Sequence, residues 1–143
     1  MNKINFEVLT PEKKVVSCQC AQVVADGVVG QFTILADHAS FVSKLRTCVV
    51  KYDCVSKENK EESFVFVAGG TLVVENNQLK IFTSAAEKGT DIDLERAQKA
   101  KMRAEQRLSA KEDGTDFDRA QVALERALVR LYLVDRVRGA VKT

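Results

Sequence analysis

Glu87-Lys-Gly-Thr-Asp-Ile-Asp-Leu-Glu-Arg-Ala97 is the stretch at which the chain changes character. Before it Val is abundant, with fifteen in residues 1–88 against five in residues 89–143. After it eight Ala and eight of the nine Arg crowd into the shorter part. Val suits pleated, half-buried surfaces, whereas Ala and Arg are strong helix formers. A joint near Glu87-Lys-Gly-Thr90 therefore divides a β unit, residues 1–88, from a helical unit, residues 89–143.

Working back from the joint, short Val/Ile/Phe-rich runs alternate with turn residues. Ile4-Asn-Phe-Glu-Val8 has the period of two that marks a strand with one buried face. Thr10-Pro-Glu-Lys13 is a turn with Pro11 at its second position. Residues 15–25 read as one long or two consecutive strands ending at the turn dipeptide Asp26-Gly27. Runs at 30–35, 48–55, 64–67, 71–75 and 79–83 complete the set. Glu75-Asn-Asn-Gln78 is a hairpin loop, because Asn tolerates left-handed backbone angles. Residues 57–62 form a polar hairpin tip, and Gly69-Gly70 is expected to open a turn between two strands. Seven or eight short strands predict an antiparallel β-sandwich or flattened barrel.

Working forward, residues 92–110 contain neither Gly nor Pro, and Asp91 or Asp93 can cap a helix there. Leu94, Ala97, Ala100, Ala104 and Leu108 make a narrow apolar stripe. Residues 111–115 are the break. A second helix, capped by Asp116 or Asp118, runs to about Arg138 and ends at Gly139. Its stripe is Phe117, Ala120, Leu124, Ala127, Leu128, Leu131 and Val134. Two Ala-rich stripes predict an antiparallel two-helix hairpin. A narrow Ala seam holds helices weakly, since packing supplies most helical stability, so the hairpin is a candidate moving part.

Charge follows the same division. The net charge of +2 excludes a uniformly basic nucleic-acid binder. Residues 1–88 are neutral, whereas residues 119–143 carry six basic and two acidic side chains. Arg96, Arg103 and Arg107 recur at steps of seven and four, and Arg119, Arg126 and Arg130 repeat those steps. One reading is a solvated face whose pairs, such as Glu95 with Lys99, are worth about 0.3–0.5 kcal/mol each. The other is convergence of guanidinium groups from both helices on a polyphosphate, whose oxygens match their forked donors.

Other chemistries find less support. Cys18, Cys20, Cys48 and Cys54 lie within apolar strand patterns and lack the C-x-x-C knuckles of a zinc site. His38, the one histidine, would need Ser40 or Ser43 as a nucleophile, and no G-x-S-x-G elbow frames either. Gly69-Gly70 lacks the spacing of a phosphate loop. No run approaches the roughly 20 apolar residues of a membrane span. Residues 1–7 carry no apolar signal-peptide core, so the cysteines are expected as thiols in a reducing cytosol.

With Phe6–Glu12, Asp26–Ala39, Phe64–Glu75 and Ile92–Ala97 in this order, the chain resembles the epsilon-subunit family of bacterial F-type ATP synthases along essentially its whole length. Phe6-Glu-Val-Leu-Thr-Pro-Glu12 is similar to that family's first strand and turn. Asp26-Gly-Val-Val-Gly-Gln-Phe-Thr-Ile-Leu-Ala-Asp-His-Ala39 resembles its glycine-framed stretch ending in His-Ala. Phe64-Val-Phe-Val-Ala-Gly-Gly-Thr-Leu-Val-Val-Glu75 resembles its strand–Gly-Gly–strand segment, and Ile92-Asp-Leu-Glu-Arg-Ala97 its I/L-D-x-x-R-A motif. Departures fall at Ala36-Asp37, where the family usually has Pro-Gly, at Cys48, often Gly, and at Gln31, commonly acidic.

The resemblance implies a non-catalytic central-stalk subunit that couples proton flow to ATP synthesis. Its sandwich would grip the gamma subunit and rest on the c-subunit ring, with Gln31 and His38 on that side. Its hairpin would inhibit ATP hydrolysis when extended. The basic residues Arg119, Arg126, Arg130, Arg136 and Arg138 would then meet acidic segments of the alpha and beta catalytic subunits. In some bacterial members the folded hairpin also binds ATP as a regulatory ligand. The corresponding residues here are Glu87, Ile92, Asp93, Arg96, Ala97, Arg103, Arg126 and Arg130. No cofactor or metal is implied. The implied location is peripheral, on the cytoplasmic face of the bacterial inner membrane, without a membrane span. A stand-alone nucleotide-binding sensor is the alternative.

Overall fold

The computed structural model describes residues 2–55, 60–110 and 117–141. The chain divides into two compact units, Met1–Lys88 and Gly89–Thr143. In the first unit β1 (Ile4–Leu9) buries Ile4, Phe6 and Val8 and exposes Asn5, as its alternation predicts. Thr10 closes the following turn, its N–H donating to the Lys13 carbonyl at 2.9 Å and its hydroxyl accepting from the Lys13 N–H at 3.2 Å. β2 is one strand, Lys14–Gly27, and β3 is Gly30–Leu35.

β4 (Phe41–Val55) begins seven residues before the expected 48–55 run. Its early part is polar in pattern, with Lys44 and Arg46 exposed around buried Leu45, and pairing with β5 keeps it extended. β5 is also single, Lys60–Glu75, so Gly69-Gly70 lies inside a strand and opens no turn. Residues 60–62 likewise belong to β5; the rest of the expected polar tip, residues 57–59, lies outside the described residues.

The glycine pair changes the partner of β5. Ahead of it Val65, Phe66 and Val67 pair with β7 (Ala86–Lys88), a strand hidden in the predicted joint. Beyond it Thr71–Glu75 pair with β6 (Gln78–Phe82). Gly69 and Gly70 have φ of 75° and 122°, and a Cβ on Gly70 would stand 2.1 Å from the Phe82 carbonyl oxygen. Asn76 and Asn77 supply the left-handed hairpin angles, φ 50° and 59°, that the Asn-Asn dipeptide predicts.

The ring runs β1-β6-β5-β4-β2 and closes where β1 pairs with β2, while β3 extends from β2 and β7 from β5. The β1–β6 pairing is parallel; the remaining pairings are antiparallel. This is the flattened barrel expected from the strand pattern. Its interior holds Phe6, Val23, Val50, Val65, Leu72, Leu79 and Ile81, with the Phe6 and Tyr52 rings 5.1 Å apart.

In the second unit a 3-10 turn, Gly89–Asp91, precedes α1 (Leu94–Ala110) and α2 (Phe117–Val141), which pack on each other. α2 continues through Gly139 to Val141 instead of ending there; one glycine in a long helix costs only about 1 kcal/mol. Ala97, Ala104, Ala120, Ala127 and Val134 are buried as the stripes predict. Phe117 and Leu128 are exposed, and Leu133, outside the predicted stripe, is fully buried and also meets the 3-10 turn at Gly89. The 25-residue α2 carries two apolar faces, and a single stripe cannot assign both. The break at residues 111–115 and Asp116 lie outside the described residues.

Replacement of Gly70 by Ala is expected to cost more than about 2 kcal/mol, from backbone clash added to an unfavourable φ. Gly30, with φ 150° and nothing within 4 Å of where a Cβ would stand, provides the control. Unfolding free energies of G70A and G30A from urea titration should differ by about 1–3 kcal/mol, G70A being the less stable.

Candidate functional site

The 3-10 turn and the start of α1 are built around Asp93. Its carboxylate accepts the Arg96 N–H at 3.2 Å and its carbonyl accepts the Ala97 N–H at 3.0 Å, so Asp93 is the cap. Gly89 lies so close to Val137 and Leu133 of α2 that a Cβ there would be 2.8 Å from Val137 Cγ2. That close approach holds the turn carrying half-buried Ile92 against the second helix. Ala97 is buried in the hairpin, while Arg96 and Arg103 are exposed.

Only six positions in sequence separate α1 from α2, so helices packed on each other run antiparallel. Arg103 stands seven residues before the end of α1 and Arg126 nine after the start of α2. At 1.5 Å per residue both lie about 10–14 Å along the hairpin from its link, at similar height. Arg126 and Arg130 are half-buried. Among the described residues Arg126 Nε stands out: it is buried and no hydrogen-bond acceptor reaches it. A buried donor without a partner is costly, about 1–3 kcal/mol and more when charged, so an anion at this point would relieve it.

Other predicted residues have different surroundings. Glu87 lies on β7 opposite Phe66, in the first unit. Arg119 is exposed. Arg136 donates to the Tyr132 hydroxyl at 2.9 Å and lies over that ring at 5.8 Å. Arg138 is in α2, its side chain outside the described residues. Lys99 and Glu95 form the predicted i,i+4 pair, at 3.3 Å, and both are strongly exposed.

On the sandwich, Gln31 is an exposed residue of β3 opposite Asp26. His38 stacks edge-on against Phe41 with ring centroids 5.7 Å apart, and Phe41 meets Phe32 in the same way at 5.3 Å. Asp37 takes φ 61°, and its N–H donates to Asn77 Oδ1 at 2.8 Å. Ala36 is half-buried. Val28 and Val29, which sequence pattern did not single out, stand exposed at the β2–β3 turn. Arg46 holds them there, its Nη2 donating to the Val28 carbonyl at 2.9 Å. Two valines between turn glycines were the available signal.

The four cysteines are free thiols, and among the described residues no His/Cys/Asp/Glu group is placed to hold a metal ion. Burial pushes the Cys48 thiol up to about 11. No helix among the described residues is long and apolar enough to cross a membrane.

A closed β-sandwich unit followed by a two-helix unit, with basic groups on the helices, defines a two-part class by its architecture. Residues 3–89 match the family described as ATP synthase, Delta/Epsilon chain, beta-sandwich domain, and residues 90–134 the corresponding long alpha-helix domain. The chain belongs to the ATP synthase delta/epsilon chain family. It is 42% identical over 136 residues to the ATP synthase epsilon chain of Nitratidesulfovibrio vulgaris, covering 95% of this chain and 96% of that one. The epsilon chain of Moorella thermoacetica is 39% identical over 131 residues, covering 92% and 96%. Among solved structures, a Euglena gracilis mitochondrial ATP synthase contains a chain similar in fold, with TM-score 0.66 and 16% identity. That likeness covers 99% of this chain and 82% of the other. A chain of the Tetrahymena thermophila central stalk and c-ring structure gives TM-score 0.56 at 13% identity, covering 93% and 97%.

Asp93→Ala should lower the stability of the helical unit by about 1 kcal/mol, through loss of the cap on the Arg96 N–H. Urea unfolding followed by helical circular dichroism measures this, and Asp93→Asn should retain most of the stability.

Proposed function

We propose that the chain is a non-catalytic epsilon subunit of a bacterial F-type ATP synthase, and that its helical hairpin is the regulatory part. In this reading the sandwich, residues 1–88, binds the gamma subunit and rests on the c-subunit ring through the Gln31 and His38 side. The hairpin, residues 89–143, restrains ATP hydrolysis by presenting Arg119, Arg126, Arg130, Arg136 and Arg138 to the alpha and beta subunits. The protein would sit peripherally on the cytoplasmic face of the inner membrane. Identity of about 40% to bacterial epsilon chains over nearly the whole length supports the stalk role.

The observation that carries the regulatory part is the buried, unpartnered Nε of Arg126. A nucleotide polyphosphate would accept from it, with Arg103 and Arg130 as further cations and the Ile92–Ala97 turn holding the base. The family resemblance adds Glu87 to the proposed nucleotide-binding residues. A ligand that binds only the folded hairpin stabilises that state by mass action. The Ala seam, weak as a packing surface, makes that stabilisation consequential.

Calorimetric titration of the isolated chain with ATP should give saturable heat. Arg126→Ala should weaken binding by about 10-fold to 100-fold, as expected for one charge-assisted hydrogen bond. Arg103→Ala with Arg126→Ala should abolish it. No heat at millimolar ATP, or heat unchanged in the double variant, removes nucleotide binding. The stalk role is tested separately by co-purification with gamma and by inhibition of hydrolysis in ATP synthase depleted of this subunit.

A further inference from the structure

Three of the four thiols gather about the Cys20–Cys54 rung of the β2–β4 ladder. Cys18 and Cys20 are two residues apart on β2 and face the same side, with Sγ atoms 3.5 Å apart. Cys54 on β4 is the register partner of Cys20. Cys20 is fully buried, whereas Cys18 and Cys54 are half-buried and reachable from solvent. Cys48, buried further up β4, stands apart from the three.

We propose that this cluster is a modification site for low-molecular-weight disulfides, at which Cys54 is the entry thiol and a Cys20–Cys54 cross-strand disulfide is the product. Backbone spacing selects the pair. Facing residues of antiparallel strands have Cα atoms about 4.5–5.5 Å apart, inside the roughly 4.4–6.8 Å that a disulfide spans. Cys18 and Cys20, two steps along one strand, are about 6.6 Å apart, at the limit. Cys18 and Cys54 are diagonal neighbours, about 7–8 Å apart, beyond it. The 3.5 Å sulfur contact between Cys18 and Cys20 is therefore not the bond that forms.

The exchange balances in two steps. Cys54, having lost its proton to solvent, attacks one sulfur of the small disulfide; a mixed disulfide forms, and the first thiolate leaves and is protonated. Cys20, deprotonated in turn, attacks the Cys54 sulfur; the protein disulfide forms, and the second small thiol leaves. Two protein thiols lose two electrons and two protons, and the small disulfide is reduced to two thiols. Burial holds the Cys54 thiol up at about 12, reinforced by its contact with Cys18 and opposed by the Lys88 ammonium. Tyr52 stands beside the cluster on β4, and Glu61 is opposite Cys54 in the β5 register. With so little Cys54 thiolate near neutral pH the first step is slow, so the exchange needs sustained oxidation.

The test treats the folded full-length chain with oxidised glutathione for hours, quenches with acid and counts thiols. Titratable thiols should fall from four to two, and the mass by two hydrogens. A non-reducing tryptic digest should then link peptide 15–44 to peptide 52–57. Cys18→Ser should keep that link. Cys20→Ser, or Cys20→Ala if the serine variant fails to fold, should stop at a glutathione adduct on Cys54. Four thiols persisting in the folded chain while urea-unfolded chain reacts would overturn the proposal. So would a link that survives Cys54→Ser, or one that includes peptide 47–51, which carries Cys48.

Discussion

The double pairing of β1 is the constraint on which the first unit depends. This six-residue strand is antiparallel to β2 on one side and parallel to β6 on the other, and so turns an open sheet into a ring. Closure removes edges that would otherwise present unpaired backbone groups, and it drives Ile4, Phe6 and Val8 into the interior. Asn77 secures the same closure from outside, its Nδ2 donating to the Lys3 carbonyl at 2.7 Å while its Oδ1 accepts from Asp37. The hairpin that forms the left-handed turn therefore also ties the β1 entrance to the rim beside His38.

A second dependence runs through Gly69 and Gly70. β5 is long enough to serve two partners along one edge, and the change from β7 to β6 needs a backbone that only glycine adopts there. β7 in turn brings the chain to the joint, where Gly89 lets the next turn lie against α2. In the helical unit stability rests on small residues, and small residues bury little area. Arg126 Nε lies buried and unpartnered in that thin seam, whereas the barrel is held by a wide apolar core.

Much of the fold was legible in local pattern. Alternation at Ile4–Val8, the Asn-Asn loop, the Asp93 cap and the Ala stripes each act over a few residues, and each appears where the pattern put it. The polar half of β4, the continuity of β5 and the existence of β7 were not legible. Those segments are extended because a neighbouring strand supplies their hydrogen bonds, and periodicity does not report a partner distant in sequence. The same holds for Leu133 and Leu128, which exchange the burial that a single stripe assigned.

The candidate site divides in the same way. Arg spacing on the two helices and the Ile92–Ala97 motif are properties of the sequence, and family membership follows from them together with the strand motifs. Which guanidinium nitrogen lacks a partner, and which two of four cysteines stand across one rung, depend on how strands and helices pack. By itself the sequence determined the order of elements and the type of each unit, because turn chemistry and periodicity are local. Ring closure, the partner exchange of β5, the burial of Arg126 Nε and the Cys20–Cys54 juxtaposition were decided only by tertiary structure, because each is a contact between residues far apart along the chain.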